Sequence, residues 1–446
     1  MSGGESGVET VPEARGHPQP KRSTPTLLIT SFAAHGAQAV RVDGCPTLGR
    51  GRPVDGQDAD CIQLPDRLLS RRHLRITGRK GGYNVEDLGS LNGTYLDGRR
   101  LTKPVSLSEG CILLFGNHGG VFRRVSEAES AALAEEAVSP FGPVATLSPS
   151  LALTLANLRR LARTDEELLL VGETGVGKEV YARAIHRASE RRGSFIAINC
   201  AALPGELIES DLFGYAPGSH STATKAKPGL IEAAEGGTLL LDEIGDMPPE
   251  LQGKIFRFLQ DRTIAPLGST TLRRVDVRVL AATRRLGGGN SMHPLRSDLV
   301  ARLGAEAIRI PPLRERPEDV GPLAAHFAAG AVRAIEPAAF RALSLYNWPL
   351  NIRELEKAIK HAVALAPDGR ICLEHLPTTI RSAHQLGPRI ALRRRPRPAP
   401  ARGELEHLLR QHNGNVSGVA RSLDRKWAVV WRWIARHELR PEQFRP

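Results

Sequence analysis

The sequence predicts a multidomain chain: an all-β sandwich, an α/β domain with a helical lid, and an all-α C-terminal element. Three observations carry this. Between residues 25 and 124, short alternating apolar segments (LLITSF, LRIT, YNVEDL, ILLFG) are broken by glycines, the pattern of a small sandwich. From 141 to 312 apolar strand-like runs alternate with helix-forming text, the signature of a parallel sheet, and from 313 to 377 the period turns helical. Beyond a Pro/Arg-rich stretch, residues 403–446 read as short helices.

At 446 residues the chain has room for about three domains. Lys and Arg number 61 against 48 Asp and Glu, and this net charge of +13 favours an anionic partner. Five scattered cysteines without CxxC spacing argue for a reducing compartment and against a disulfide frame or zinc site. With no apolar run of membrane-spanning length and no signal-peptide core, the expectation is a cytoplasmic protein without a membrane partner. Residues 1–24, rich in Gly, Pro, Ser and charge, hold too few apolar side chains to form a core and are expected to be disordered.

Within 25–124 stand Gly49-Arg50, Ser70-Arg71-Arg72-His73 and, in DLGSLNGTYLDG, Asn92-Gly93-Thr94. With these motifs in this order the segment resembles a forkhead-associated (FHA) domain. The resemblance implies a β-sandwich whose end loops bind phosphothreonine peptides. Arg50 and Ser70 match the phosphate ligands, Arg71 and Asn92 the contacts to peptide backbone, and His73 a structural prop. A phosphothreonine carries about −1.5 to −2 charges and several acceptor oxygens, which a guanidinium and a hydroxyl satisfy together. The implied input is a partner protein from a Ser/Thr kinase pathway.

Residues 125–140, containing the Ala/Glu text SEAESAALAEEA, read as a helical or flexible linker. Beyond them LLLVGETGVGKE (Leu168 to Glu179) is an apolar strand, a glycine-rich loop and the start of a helix. Such a loop turns backbone N–H groups inward to cradle a polyphosphate. The residues are Gly172, Glu173, Thr174, Gly175, Val176, Gly177, Lys178 and Glu179, with Lys178 reaching the outer phosphates. A second buried strand, Thr238 to Leu241, ends in Asp242-Glu243, an acid pair suited to a magnesium ligand and a water-polarising carboxylate. ATP and Mg are therefore the expected cofactors.

Further markers follow in order: FIAINCAALP, ESDLFG, DVRVLAAT, PPLRER and YNWPLNIRELE. Together with the two phosphate-site motifs they make residues 141–377 resemble the AAA+ domain of NtrC-type bacterial enhancer-binding proteins, which remodel sigma-54 RNA polymerase. The resemblance implies that Lys178 holds the β/γ-phosphates, Asp242 the magnesium and Glu243 the attacking water. Asn199 matches the asparagine that restrains the glutamate, and Arg353 the sensor arginine of the lid (313–377). Arg296 and Arg302, in RSDLVAR, match arginine fingers presented to a neighbouring subunit, which implies a homo-oligomer, a hexameric ring.

The chain departs from the family pattern at two places. The family reads AATN where this chain has Ala281-Ala282-Thr283-Arg284, which puts nucleotide sensing at that strand end in question. Its GAFTGA loop, which grips sigma-54, is here Gly218-Ser219-His220-Ser221-Thr222-Ala223. A polar His in place of Phe gives up most of a loop-tip burial worth about 1.5–3 kcal/mol, and Thr in place of Gly restricts the turn.

Residues 378–402 form a second linker, rich in Pro and Arg toward its end. In 403–446, GNVSGVARSLDRKWAVVWRWIARHEL resembles the Fis-type helix-turn-helix of many relatives. Val416, Ala420, Leu423, Val430 and Ile434 give a shared apolar face, while Arg425, Lys426, Arg432 and Arg436 would meet DNA. Asp424 stands where the turn usually has Gly, and Trp427 and Trp433 stand where polar residues are common. Two readings stay open: an ATP-driven sigma-54 activator, and a sigma-54-independent DNA-binding regulator on the same scaffold. The complete catalytic set favours the first and the GSHSTA loop the second.

Overall fold

The computed structural model describes residues 23–31, 38–42, 44, 46–51, 61–79, 82–202, 205–219, 225–284, 295–304, 307–332, 334–385, 402–412, 414–422, 430, 431, 433, 434, 437, 439 and 441–444. The chain divides into two compact units, residues 1–387 and 388–446.

In the first unit, two sheets enclose the N-terminal core. One runs in the order Gln38–Arg41, Ser23–Ser31, His118–Ser126, Ile112–Phe115, Thr94–Leu96, Arg99–Arg100. The other runs Cys61–Gln63, Thr47–Gly49, Leu74–Arg79, Gly82–Asp87, Val105–Leu107. Alternation decides which side chains meet: Leu74 and Ile76 are fully buried while the alternate residues Arg75 and Thr77 are half-exposed. Leu27, Ile29, Leu48, Val85, Leu113 and Phe122 complete that core.

Strand Ser23–Ser31 is buried on both faces, and the segment expected as a linker explains this. Residues Glu127–Val138 are a helix started by a capping box, in which the Ser126 hydroxyl accepts from the Glu129 N–H and the Glu129 carboxylate accepts from the Ser126 N–H. Its Ala132 and Leu133 pack with Ala152 of helix Pro149–Ala162 on Leu28 and Val125, the outer face of the sandwich. The helix is thus a covering element rather than a free tether.

The next sheet is parallel, in the order Phe195–Asn199, Thr238–Asp242, Arg278–Thr283, Leu168–Val171, Ile308–Arg309. Helices cover both faces, so LLL and TLLL are continuous buried runs rather than alternating ones. Arg278 opens its strand fully buried. Its guanidinium donates to the carbonyls of Leu161, Ala162 and Glu166, closing the end of helix Pro149–Ala162.

Helices Val320–Ala328, Pro337–Leu345, Asn351–Ala364 and Thr378–Gln385 form the lid, which therefore runs past residue 377 into the segment expected as a linker, because Ile380 packs into the lid core. The sandwich docks on it. Leu114 joins the lid core, Phe340 lies against Gly119, and the Arg341 guanidinium stacks 3.8 Å over the Tyr95 ring. Arg123 donates to both oxygens of the fully buried Glu318 at 3.1 and 2.9 Å. Burial pushes the Glu318 carboxyl up to about 7 against the pull of Arg123. An unfolded glutamate releases its proton near 4.5, so stability from this group is full below that pH and is lost as pH rises through about 7. Melting temperatures taken from pH about 5 to about 8 are expected to fall more for the wild type than for Glu318→Gln.

The second unit holds helices Arg402–Gln411 and Val416–Ser422, with Leu405, Leu409, Val416, Val419, Ala420, Val430, Ile434 and Leu439 in one cluster. Leu423 and the basic residues Arg425, Lys426, Arg432 and Arg436, expected to meet DNA, lie outside the described residues. No helix among the described residues is long and apolar enough to cross a membrane.

Candidate functional site

The phosphate loop begins where strand Leu168–Val171 ends. Register sets Val171 beside Thr283, and the Gly172 N–H donates to the Thr283 carbonyl at 3.1 Å. On the other side of strand Arg278–Thr283, Leu241 pairs Ala281, and one strand further Asn199 pairs Asp242. The carboxyl ends of the parallel strands therefore carry the loop, the acid pair and Asn199 on one edge, where open α/β sheets bind ligands.

Two glycines make the loop possible. Gly175 and Gly177 have φ of +79° and +100°, and a Cβ on Gly175 would stand 2.2 Å from the Leu350 carbonyl. Gly177 then leads into helix Lys178–Ala188. Buried Lys178 donates to the Gly172 carbonyl at 2.9 Å and to Glu243 Oε1 at 3.3 Å. Val176 is buried, and its carbonyl accepts from Arg316 of PPLRER. Glu179 points outward to Arg183.

Lid residues brace the same loop, which the sequence reading did not foresee. Asn351, fully buried with φ +56°, accepts from the Leu313 N–H and donates to the Thr174 carbonyl at 3.0 Å and to Glu173 at 3.2 Å. Arg314 grips Glu173 with two bonds of 2.6 and 2.7 Å. Arg353, two residues beyond Asn351, has its Cβ 3.2 Å from the Cβ that Gly175 would carry. Asn is a fair clue to a left-handed residue, but nothing local tells that its amide reaches residues 38 to 178 positions away.

Burial raises the Asp242 carboxyl above its ordinary range, and Lys178 pulls against that rise. A carboxylate so placed fits a divalent cation, which would relieve the desolvation. Among the described residues no group of three His, Cys, Asp or Glu side chains is placed to hold a metal ion. Glu243 sits in the left-handed region at φ +53°, a conformation costing about 1–3 kcal/mol for a non-glycine residue. The amide oxygen of Asn199, expected to restrain Glu243, accepts from the Ala201 N–H at 2.9 Å, and among the described residues no contact joins Asn199 to Glu243. The Glu243 oxygen that Lys178 does not hold lies 3.3 Å from Arg284.

Arg296 stands at the N-cap of helix Ser297–Leu303 and Arg302 in its last turn, both half-exposed. The fully buried Gln252 fixes the Arg296 backbone by accepting its N–H at 3.0 Å, while the guanidinium pairs Asp298. Arg302 donates to the Leu259 carbonyl. Among the described residues neither guanidinium touches the phosphate loop of its own chain: Arg296 meets Asp298, and Arg302 meets the Leu259 carbonyl and, at 3.8 Å, Glu167.

At the sandwich end three loops converge. The Arg50 N–H donates to the Ser70 carbonyl, the Gly51 N–H to the Arg71 carbonyl, and the Leu91 N–H to the Ser70 hydroxyl. Gly49 is required, because a Cβ there would fall 2.2 Å from the Arg71 carbonyl. Buried His73 accepts from the Ser70 N–H at Nδ1 and faces the Gly93 carbonyl at 3.3 Å with Nε2, so the neutral Nε2–H tautomer satisfies both. Desolvation lowers its pKa in the same sense. Asp87, not singled out in the sequence, ties the third loop by accepting from Gly89, Ser90 and Thr94. Arg50, Arg71 and Asn92 stand exposed around the half-buried Ser70, and Asn92 donates to the Leu68 carbonyl.

Of the GSHSTA loop, Gly218 and Ser219 are described. They leave a short hairpin in which Gly214–Tyr215 pairs Lys227–Pro228. His220, Ser221, Thr222 and Ala223 lie outside the described residues.

Comparison with known proteins agrees with this geometry. Residues 144–309 match the sigma-54 interaction domain, 314–391 the AAA+ ATPase lid domain and 47–116 the FHA domain. The transcriptional regulatory protein GlrR of Escherichia coli K12 is 39% identical over 316 residues, 68% of this chain and 69% of that protein. The C4-dicarboxylate transport transcriptional regulatory protein DctD of Rhizobium meliloti is 43% identical over 258 residues, 56% of each chain. The structure of NtrX from Brucella abortus in complex with ATP is similar at 28% identity over 70% of this chain and 73% of that one, with a TM-score of 0.48.

Proposed function

We propose, since this chain belongs to the NtrC-type family of transcriptional regulators with a sigma-54 interaction domain of the AAA+ class, that it hydrolyses ATP in a ring to remodel sigma-54 RNA polymerase at promoters. The observation that carries this is the convergence of Lys178, Asp242 and Glu243 at one strand edge beneath the lid arginine Arg353.

Lys178 and the loop amides of Gly175, Gly177 and Lys178 bind the β- and γ-phosphates. Glu243 orients water and takes its proton as the water oxygen bonds to the γ-phosphorus and the β–γ bridge breaks. Asp242 would hold magnesium, which offsets charge on the phosphate oxygens. Arg296 and Arg302 complete the site of the next subunit in a hexamer. Phosphothreonine on a partner of a Ser/Thr kinase pathway docks at Arg50, Ser70, Arg71 and Asn92, and the C-terminal unit binds DNA through Arg425, Lys426, Arg432 and Arg436.

One observation favours a second reading. The GSHSTA loop lacks the aromatic tip that would anchor in sigma-54, which suits a DNA-binding regulator whose ATPase governs assembly. Capture of purified sigma-54 by the full chain in ADP–aluminium fluoride separates the two. A complex lost on His220→Ala supports the activator; normal ATP turnover with no complex selects the second reading.

A further inference from the structure

Both carboxylate oxygens of Glu243 face a cation. Oε1 lies 3.3 Å from the Lys178 ammonium and Oε2 3.3 Å from Arg284 Nε, and the Glu243 side chain is only 13% exposed. These two cations differ in what can draw them away. Lys178 also donates to the Gly172 carbonyl at the mouth of the phosphate loop, so phosphates compete for it directly. Arg284 is pinned from behind: its Nη2 sits 2.7 Å from Asp246 Oδ2, and Asp246 lies in the short 3-10 turn Ile244–Asp246 that follows Glu243. Thr283, the residue before it, ends the buried strand paired with Val171, which fixes where the guanidinium starts.

A carboxylate with a cation at each oxygen is held turned toward them, and the positive charge lowers its basicity toward a water proton. Phosphate binding would free Oε1 and leave Oε2 held. Asn199, the other neighbour at this strand edge, has its amide oxygen on the Ala201 N–H, and among the described residues no contact joins its amide nitrogen to Glu243. Arg284 itself is 53% exposed, open to displacement by a group from outside the site.

We propose, resting on the ATP-hydrolysing reading of this site, that Arg284 is a positioning residue: it holds Glu243 off the attacking water and keeps basal turnover low. It acts on the γ-phosphate only through Glu243. Its removal raises kcat and leaves nucleotide affinity alone.

The test uses the full chain, with ATP turnover over a range of ATP concentrations, fluorescent-ADP affinity and thermal melting. Arg284→Asn is expected to raise kcat about 2- to 5-fold, the range of one partly exposed ion pair, with KM and fluorescent-ADP Kd changed less than about twofold. Arg284→Lys, which keeps a cation at this place, gives a smaller rise. Glu243→Gln combined with Arg284→Asn shows no gain over Glu243→Gln alone. An Arg284→Asn chain with unchanged or lower kcat, whether or not its melting temperature falls, overturns the proposal. A wild type that binds fluorescent ADP and turns over slowly keeps the premise even then. A wild type that neither binds nor hydrolyses removes the premise and the proposal together.

Discussion

Glu243→Gln is expected to lower ATP turnover by about 10²–10⁴-fold while leaving fluorescent-ADP affinity close to wild type, the span of a positioned general base. The substitution keeps shape and removes the charge and the ability to take a proton. Gln accepts at its single oxygen from only one of Lys178 and Arg284, while the phosphate loop keeps its own bracing through Asn351, Arg314 and Arg316. Lys178→Ala removes binding as well, because Lys178 is the buried cation at the phosphate loop. A Glu243→Gln chain that turned over ATP at the wild-type rate would exclude Glu243 as the base, whatever happens at Lys178.

Arg302→Ala and Arg296→Ala are each expected to lower turnover by up to about 10³–10⁵-fold, because a finger neutralises charge spread over the transferring phosphoryl. In one chain both guanidinia contact their own helix or its neighbours, Asp298 and the Leu259 carbonyl, so an effect of that size requires a second subunit. Mixing gives the decisive measurement. Arg302→Ala chains have an intact phosphate loop and Glu243→Gln chains have intact fingers, and neither hydrolyses alone. Together they are expected to recover a part of wild-type turnover at shared interfaces. No recovery, in mixtures shown to co-assemble, would mean that Arg302 acts within its own subunit.

How much of the site was legible depended on how far apart its parts lie. The phosphate loop was readable because its requirements are local: glycines at the left-handed positions Gly175 and Gly177, a strand before them and a helix after. The convergence of the 49–51, 70–73 and 89–94 loops was anticipated only through a resemblance, and Asp87, which ties one of them, was overlooked. An aspartate before a glycine-rich turn looks like any turn former until its four donors are seen. Register sets Asn199 beside Asp242, as a place at that strand edge requires, while its amide oxygen takes a backbone N–H two residues on.

The sequence by itself determined the parallel sheet, the alternating sandwich strands, the phosphate loop and the acid pair, because each is written in contiguous residues through period, glycine placement and apolar run length. Only the tertiary structure decided that Arg284 faces Glu243, that Asn351 and Arg314 brace Glu173, and that Arg123 buries against Glu318. Those partners stand 41 to 195 positions apart, from Arg284–Glu243 to Arg123–Glu318. Along a chain with 61 basic and 48 acidic residues, one charge reads like another. Which of them loses its water, and to whom it turns when it does, is fixed by packing.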